Sequence, residues 1–104
     1  MKTILLAALA LSMMVIATTH AQESSSPGRN LAANCANCHG TNGRSVSGMP
    51  SLAGRPRGEV ARILREFRDG KRPATIMQQI AKGYTETQID AVSDFFAAES
   101  ASAR

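Results

Sequence analysis

The sequence predicts an all-α domain of about four helices, and three observations support this prediction. Apolar residues recur at spacings of three and four in the stretches 60–67 and 89–96. Residues typical of helix starts and stops, such as Pro27, Gly70 and Gly83, stand near the ends of the candidate helices. No segment alternates polar and apolar residues or is rich in β-branched residues, so no strand is expected.

Residues 1–21 have the features of a secretory signal peptide. Lys2 is followed by an apolar run, and the small residue Ala21 ends the segment. The run is interrupted by Ser12 and is shorter than the roughly 20 residues that a membrane-spanning helix needs. We therefore expect cleavage after Ala21, export to the periplasm and no transmembrane segment in the mature chain. An uncleaved anchor is the alternative.

The mature chain of about 83 residues has room for one domain only. We expect a flexible tether at residues 22–28 and a single domain at residues 29–104. Within the tether, Ser26 is a suitable N-cap and Pro27 a suitable first residue for a helix that runs to about Cys38.

Three further helices are expected after a long loop. The composition between Gly40 and Gly58 is rich in Gly, Ser, Pro and Asn, which predicts a loop. A helix is expected from Gly58 to Gly70, with an apolar stripe and an arginine-rich opposite face. Pro73 is expected to open a short helix that ends at Gly83. Thr85 and Gln88 form a capping box for the last helix.

The motif Cys35-Ala-Asn-Cys38-His39 is typical of covalent haem c attachment. Two thiols one helical turn apart share a face with the histidine, so they can bond to the haem while the imidazole reaches the iron. A structural zinc site needs four ligands, and only three candidates remain after loss of the leader. A thioredoxin-like pair needs a βαβ setting that the sequence does not predict.

The iron needs a sixth ligand, and two methionines of the mature chain are candidates. His20 is lost with the signal peptide, which excludes a second histidine. Met77 is favoured because it lies on a predicted helix beside Ile76 and Ile80, which would exclude water. Met49, only ten residues after His39, is the alternative. If neither methionine binds the iron, both are ordinary packing residues.

From Leu31 to Phe96 the order of these features resembles the class I cytochromes c, especially the c4 and c553 types. The run from Ala74 to Tyr84, together with residues 38–43, closely resembles the first haem domain of the cytochrome subunit of flavocytochrome c sulfide dehydrogenase. The resemblance implies a small class I cytochrome c fold wrapped around one covalent haem. It also implies that Met77 ligates the iron and that the Pro50 carbonyl accepts a hydrogen bond from His39.

The implied function is one-electron transfer rather than catalysis by the chain itself. The resemblance indicates a flavoprotein (FAD) subunit as electron donor and a downstream cytochrome or other protein as acceptor. A freely diffusing carrier of the c4/c553 type is the alternative. A sensor or enzyme with a five-coordinate iron is a third possibility. Relatives with two haem domains carry two such motifs, whereas this chain has one.

Charge is unevenly distributed along the sequence. Residues 55–72 contain seven Arg or Lys against three acids, whereas residues 84–104 contain four acids against Arg104. By default, we interpret these charged residues as a solvated surface. Some arginines are also candidates for pairing with haem propionates or for steering an acidic partner. Nucleic-acid binding is not expected, because no matching motif is present.

Overall fold

The structure is a computed structural model that describes residues 26–100. The predicted signal peptide and residues 22–25 of the tether lie outside the described residues. The described helices are α1 (Pro27–Ala32), α2 (Ala36–His39), α3 (Arg57–Arg68), α4 (Met77–Lys82) and α5 (Glu86–Ala98). Residues 26–100 contain no strand, so the all-α prediction is confirmed. Within this range no helix has both the length and the apolar character to cross a membrane.

The first helical segment is continuous from Pro27 to His39. The Ser26 side chain caps it by accepting a hydrogen bond from the backbone N–H of Arg29 at 3.2 Å, so the predicted start is confirmed. A 3₁₀ turn at Ala33–Cys35 separates α1 from α2. Pro27 and Gly28, which were assigned to the tether, are the first two residues of α1, and Gly28 is buried.

The segment after α2 is a loop whose backbone is tied to α5. Gly43, in the 3₁₀ turn Thr41–Gly43, accepts hydrogen bonds at its carbonyl from Leu52 at 2.7 Å and Ala53 at 3.2 Å. Gly54 donates to the carbonyl of Phe96 at 2.9 Å. A Cβ at Gly43 would lie 2.8 Å from the Phe96 ring. The predicted loop is thus present and is fixed in place by these bonds.

Helix α3 confirms the predicted stripe and its stop. Val60 is buried, and Ile63, Leu64 and Phe67 are half-buried on the same side. Gly70 follows in the left-handed region with a φ of 71°, which ends the helix. The helix begins at Arg57, one residue before the predicted start.

The prediction that Pro73 opens the short helix ending at Gly83, which is α4 in the structure, is wrong. Residues 71–75 are not helical, and α4 begins only at Met77. The physical reason lies just upstream, where the N–H groups of Lys71 and Arg72 both bond back to the carbonyl of Glu66. After this turn the chain runs beside α3, and it becomes helical again only at Met77. The predicted end at Gly83 is confirmed.

Helix α5 supplies three of the eight buried apolar residues in the described range: Ile89, Val92 and Phe96. Its capping box is confirmed, because Gln88 N–H donates to Thr85 Oγ1 at 3.2 Å and Thr85 N–H donates to Gln88 Oε1 at 2.9 Å. Val92 and Phe96 are buried against Ala32 of α1. Helices α1 and α5 cross closely, since a Cβ at Gly28 would lie 2.3 Å from the carbonyl oxygen of Ala91.

Candidate functional site

The helices enclose a cavity of about 1040 Å³. Every helix and the loop after α2 contribute to its wall. Most lining side chains are apolar: Leu31, Leu52, Val60, Ile63, Leu64, Phe67, Ile76, Ile80, Val92 and Phe96. An apolar space of this size suits a large, flat, mostly apolar ligand.

His39 reaches this cavity from the end of α2 and is only 8% exposed. Its Nδ1 lies 2.6 Å from the carbonyl oxygen of Pro50. A carbonyl oxygen can only accept, so Nδ1 carries a proton, and in the neutral imidazole Nε2 keeps its lone pair. A metal-binding histidine is commonly held in this way by a hydrogen bond at its other nitrogen. The bond to Pro50 that the resemblance implied is present.

Both cysteines line the same cavity, and both are free thiols. Cys35 ends the 3₁₀ turn and is half-buried, whereas Cys38 lies in α2 and is exposed. Burial raises the pKa of the Cys35 thiol, and a backbone hydrogen bond partly opposes this effect. The structure therefore brings the two thiols and the imidazole of the motif to one wall.

The two candidate methionines also line the cavity. Met77 is the first residue of α4 and is half-buried. Met49 is 41% exposed and directly precedes Pro50, whose carbonyl contacts His39. Met49 thus lies close to His39 in the fold. Met77 belongs to α4, which packs mainly against α3.

Several polar lining residues were not predicted from the sequence as site residues. Tyr84 is half-buried in the wall near Cys35, and burial is the main reason that its pKa is raised. Asn34 and Gln88 line the cavity beside it. Tyr84 directly follows the helix stop at Gly83, which was the only local signal that could have indicated it.

The basic and acidic segments of the sequence neutralise each other across α3 and α5. Arg65 pairs with Glu86 at 2.8 Å and with Asp90 at 3.0 Å. Arg57 bridges Asp90 and Asp94 in the same manner. The Arg57 and Arg65 side chains are partly exposed to solvent, and their charges are engaged with carboxylates within the protein.

Arg55 and Arg72 line the cavity and are already hydrogen-bonded. Arg55 donates to the carbonyl of Ser51 at 2.7 Å and to Glu59 at 2.8 Å. Arg72 donates to Glu66 at 3.1 Å. These two arginines are the basic residues at the cavity wall, so they are the ones positioned to meet an anionic group of a bound ligand.

The residues at the cavity fit a covalent iron porphyrin. An imidazole nitrogen with a free lone pair, a methionine thioether and two free thiols face one large apolar space. Among residues 26–100, no group of three or more His, Cys, Asp or Glu side chains could hold a metal ion. A bare zinc site of the usual four ligands is therefore not found in that range.

Comparisons with known proteins agree with this assignment. Residues 25–98 match the family described as Cytochrome c. The cytochrome subunit of sulfide dehydrogenase of Chlorobaculum tepidum is 39% identical over 71 residues, which cover 68% of this chain and 64% of that protein. The thiosulfate dehydrogenase electron acceptor of Stutzerimonas stutzeri is 40% identical over 90 residues, covering 84% and 42%. Cytochrome c4 of Pseudomonas aeruginosa is 27% identical over 96 residues, covering 91% and 48%. The chain thus spans less than two thirds of the length of each of these relatives.

Proposed function

The chain belongs to the cytochrome c family, whose members carry covalent haem c, and we propose that it accepts electrons from a sulfide-oxidising flavoprotein in the periplasm. The observation that carries the electron-transfer part of the proposal is the apolar cavity that Cys35, Cys38, His39 and Met77 all line.

Each of the four residues has a separate role in the proposal. The Cys35 and Cys38 sulfurs would attach the porphyrin covalently. His39 Nε2 would bind the iron, and its ring is held in place by the hydrogen bond from Nδ1 to the Pro50 carbonyl at 2.6 Å. The Met77 sulfur would be the other protein ligand of the iron.

The positions of the two residues support Met77 over Met49 as this ligand. The residue after Met49 touches His39 Nδ1 through its carbonyl. Met49 therefore lies on the side of the imidazole, where His39 would already bind the iron. Met77 comes from α4, which packs against α3 rather than against the histidine segment.

When bound, a haem with histidine and methionine ligands would supply one-electron transfer, and the thioether would favour the ferrous state. With His39 and Met77 both bound to the iron, no coordination position would be left for a substrate. The role of the protein is then to hold the ligands, to exclude water with the apolar wall and to present the site to a partner.

The proposed donor is supported by the run Ala74–Tyr84 and by the similarity to a sulfide dehydrogenase cytochrome subunit. Oxidation of sulfide to zero-valent sulfur releases two electrons and a proton from HS⁻. A chain with one CxxCH motif accepts one electron at a time. The flavoprotein must therefore reduce two copies, or one copy twice, for each sulfide.

A rapid-mixing experiment tests this function. The ferric holoprotein is mixed with sulfide and the flavoprotein of the same source, and the α band of ferrous haem c is followed. We expect two haems reduced per sulfide, with little reduction when the flavoprotein is omitted. Equal rates with and without the flavoprotein would refute the proposed donor.

A freely diffusing carrier is the second candidate function, because the similarity to cytochrome c4 covers 91% of this chain. Purification from the native source distinguishes the two candidate functions. A stable complex with a flavoprotein supports the subunit, whereas isolation of the cytochrome alone, together with reduction by thiosulfate dehydrogenase but not by sulfide, supports the carrier.

A further inference from the structure

Asn42 and Gly43 form an Asn-Gly pair in the 3₁₀ turn Thr41–Gly43, just after the haem-attachment motif. An asparagine that precedes glycine is prone to deamidation, because glycine has no side chain to hinder attack by its backbone nitrogen. Each of the other three asparagines of the chain precedes a larger residue: Asn30 precedes Leu31, Asn34 precedes Cys35, and Asn37 precedes Cys38. Asn42 is therefore the asparagine of this chain whose neighbour favours the reaction.

Deamidation joins two groups within this pair. The backbone nitrogen of Gly43 loses its proton and attacks Asn42 Cγ, so that a new N–C bond forms, the bond from Cγ to the amide nitrogen breaks, and ammonia leaves. Water then opens the five-membered imide at either carbonyl, which gives aspartate or isoaspartate. No oxidant or reductant takes part, so the local geometry controls whether the reaction can occur.

The folded backbone at Asn42 is far from the geometry that ring closure requires. The imide ring is nearly planar, and the Cβ of an L-residue stands about 120° from its nitrogen around the Cα–C bond, so closure needs a ψ of about −120°. Asn42 has a φ of 53° and a ψ of 28°. The peptide group between Asn42 and Gly43 would therefore have to rotate by about 150° before the ring could close.

Hydrogen bonds on both sides of Gly43 oppose this rotation. Its N–H, which contains the attacking nitrogen, donates to the Gly40 carbonyl at 2.9 Å. Its own carbonyl accepts from the backbone N–H groups of Leu52 and Ala53, at 2.7 and 3.2 Å. Gly43 is also buried, and a Cβ there would lie 2.8 Å from the Phe96 ring. The rotation therefore requires local unfolding of the turn.

We propose that Asn42 is a deamidation site that the folded domain protects and that unfolding of the turn exposes. An exported chain that has not yet folded around haem has none of these contacts and is open to the reaction. The proposal is independent of the proposed electron donor, because it uses only the turn Thr41–Gly43 and its contacts.

The two products of the reaction differ in what the fold can accept. Isoaspartate lengthens the backbone by one atom between Thr41 and Gly43, which disturbs the hydrogen bonds at both ends of the turn. Aspartate keeps the backbone and places a carboxylate at the wall of a pocket of about 220 Å³ that Asn42 shares with Arg29. Arg29 is in no ion pair among residues 26–100, so its charge is available to the new carboxylate.

Peptide mapping of the holoprotein tests the protection. The native holoprotein and the same protein unfolded in guanidinium chloride are incubated at mildly alkaline pH, and aspartate and isoaspartate at position 42 are measured over time. We expect the native protein to deamidate at least about tenfold more slowly, because it reaches the reactive geometry only during rare local openings. Asn30 is the internal control, and we expect it to stay unmodified in both samples because Leu31 hinders the attack.

Refolding of the deamidated chains tests the two products. We expect the isoaspartate form to unfold at a lower guanidinium concentration than the unmodified holoprotein. The Asn42→Asp variant should unfold at the same or a higher concentration than the wild type. In an Arg29→Gln background the same substitution should lower the midpoint, because the carboxylate then has no cation beside it.

Equal rates of deamidation at Asn42 in the native and unfolded samples would overturn the proposal. So would faster modification of Asn30 than of Asn42 in the unfolded sample. An isoaspartate form as stable as the unmodified protein would show that the turn is not held by the bonds of Gly43. These measurements use neither sulfide nor a flavoprotein, so their failure and that of the proposed electron donor are distinguishable.

Discussion

At the scale of single residues, the hydrogen bond from His39 to Pro50 does most to define the site. It fixes which imidazole nitrogen keeps a lone pair, and it ties the loop after α2 to the motif. The motif itself was recognisable from the sequence because its chemistry depends on local spacing. Whether Met77 or Met49 faces the histidine depends on tertiary structure, which spacing alone does not determine.

We expect Met77→Ala to abolish the methionine-to-iron charge-transfer band of the ferric holoprotein. The reason is that Met77 approaches the cavity from α4, away from the histidine segment. The midpoint potential should also fall, because a thioether ligand stabilises the ferrous state. Absorption spectroscopy and redox titration measure both effects. Met49→Ala is the control and should keep the band; loss of the band in this variant alone would make Met49 the ligand.

Two glycines, Gly28 and Gly58, provide a prediction about stability. Gly28→Ala places a Cβ 2.3 Å from the Ala91 carbonyl, so α1 and α5 must move apart. We expect the free energy of unfolding to fall by about 1–3 kcal/mol in denaturant titration of the holoprotein. Gly58→Ala is the control, since its Cβ meets nothing within 4 Å, and it should raise stability by up to about 1 kcal/mol. An unchanged free energy of unfolding in Gly28→Ala would contradict the close crossing of α1 and α5.

At the scale of elements, the ends of helices were predictable wherever a side chain acts on its own backbone. Ser26 and the Thr85–Gln88 pair are such cases, and both caps are present. Pro73 was misleading because a proline suits a helix start only if the following residues continue the helix. Here the bonds from Lys71 and Arg72 to Glu66 fix a turn instead. Pairing between α3 and α5 joins residues far apart in sequence, so charge counts could not reveal it.

The ion pairs between α3 and α5 predict how stability depends on pH. Hydrogen bonds from Arg65 and Arg68 lower the pKa of Glu86 below its ordinary value of 4.5. The unfolded chain therefore takes up this proton at a higher pH than the folded chain. The stabilisation is complete above about pH 4.5 and is lost as the pH falls through the lower folded-state pKa.

We expect Glu86→Gln to weaken the loss of holoprotein stability below pH 4.5, because the titrating group has been removed. Thermal unfolding between pH 3 and pH 7, at constant ionic strength, measures the slope. Glu59→Gln is the control, since Glu59 pairs only with the neighbouring Arg55 and does not join two helices. An unchanged slope in Glu86→Gln would show that the α3–α5 pairs are not formed in solution.

At the scale of the whole molecule, the protein core of the described range is small. Eight apolar residues are buried, and four of them are alanines: Ala32, Ala53, Ala61 and Ala81. The larger apolar side chains mostly face the cavity of about 1040 Å³ and are only half-buried. A chain of this length gains limited stability from its own burial. We therefore expect the haem to be the central apolar element of the fold.

The apoprotein should accordingly lack a cooperative fold, and a Cys35→Ala/Cys38→Ala variant tests this. Without the thioether bonds haem is held at most by the two axial ligands, so Ile63, Leu64 and Phe67 lose a permanent packing partner. We expect a large loss of helical circular dichroism and no sigmoidal thermal transition. Addition of excess haem should restore part of the helical signal, because His39 and Met77 remain. A haem-free variant that melted as cooperatively as the holoprotein would show instead that the helices close the cavity by themselves.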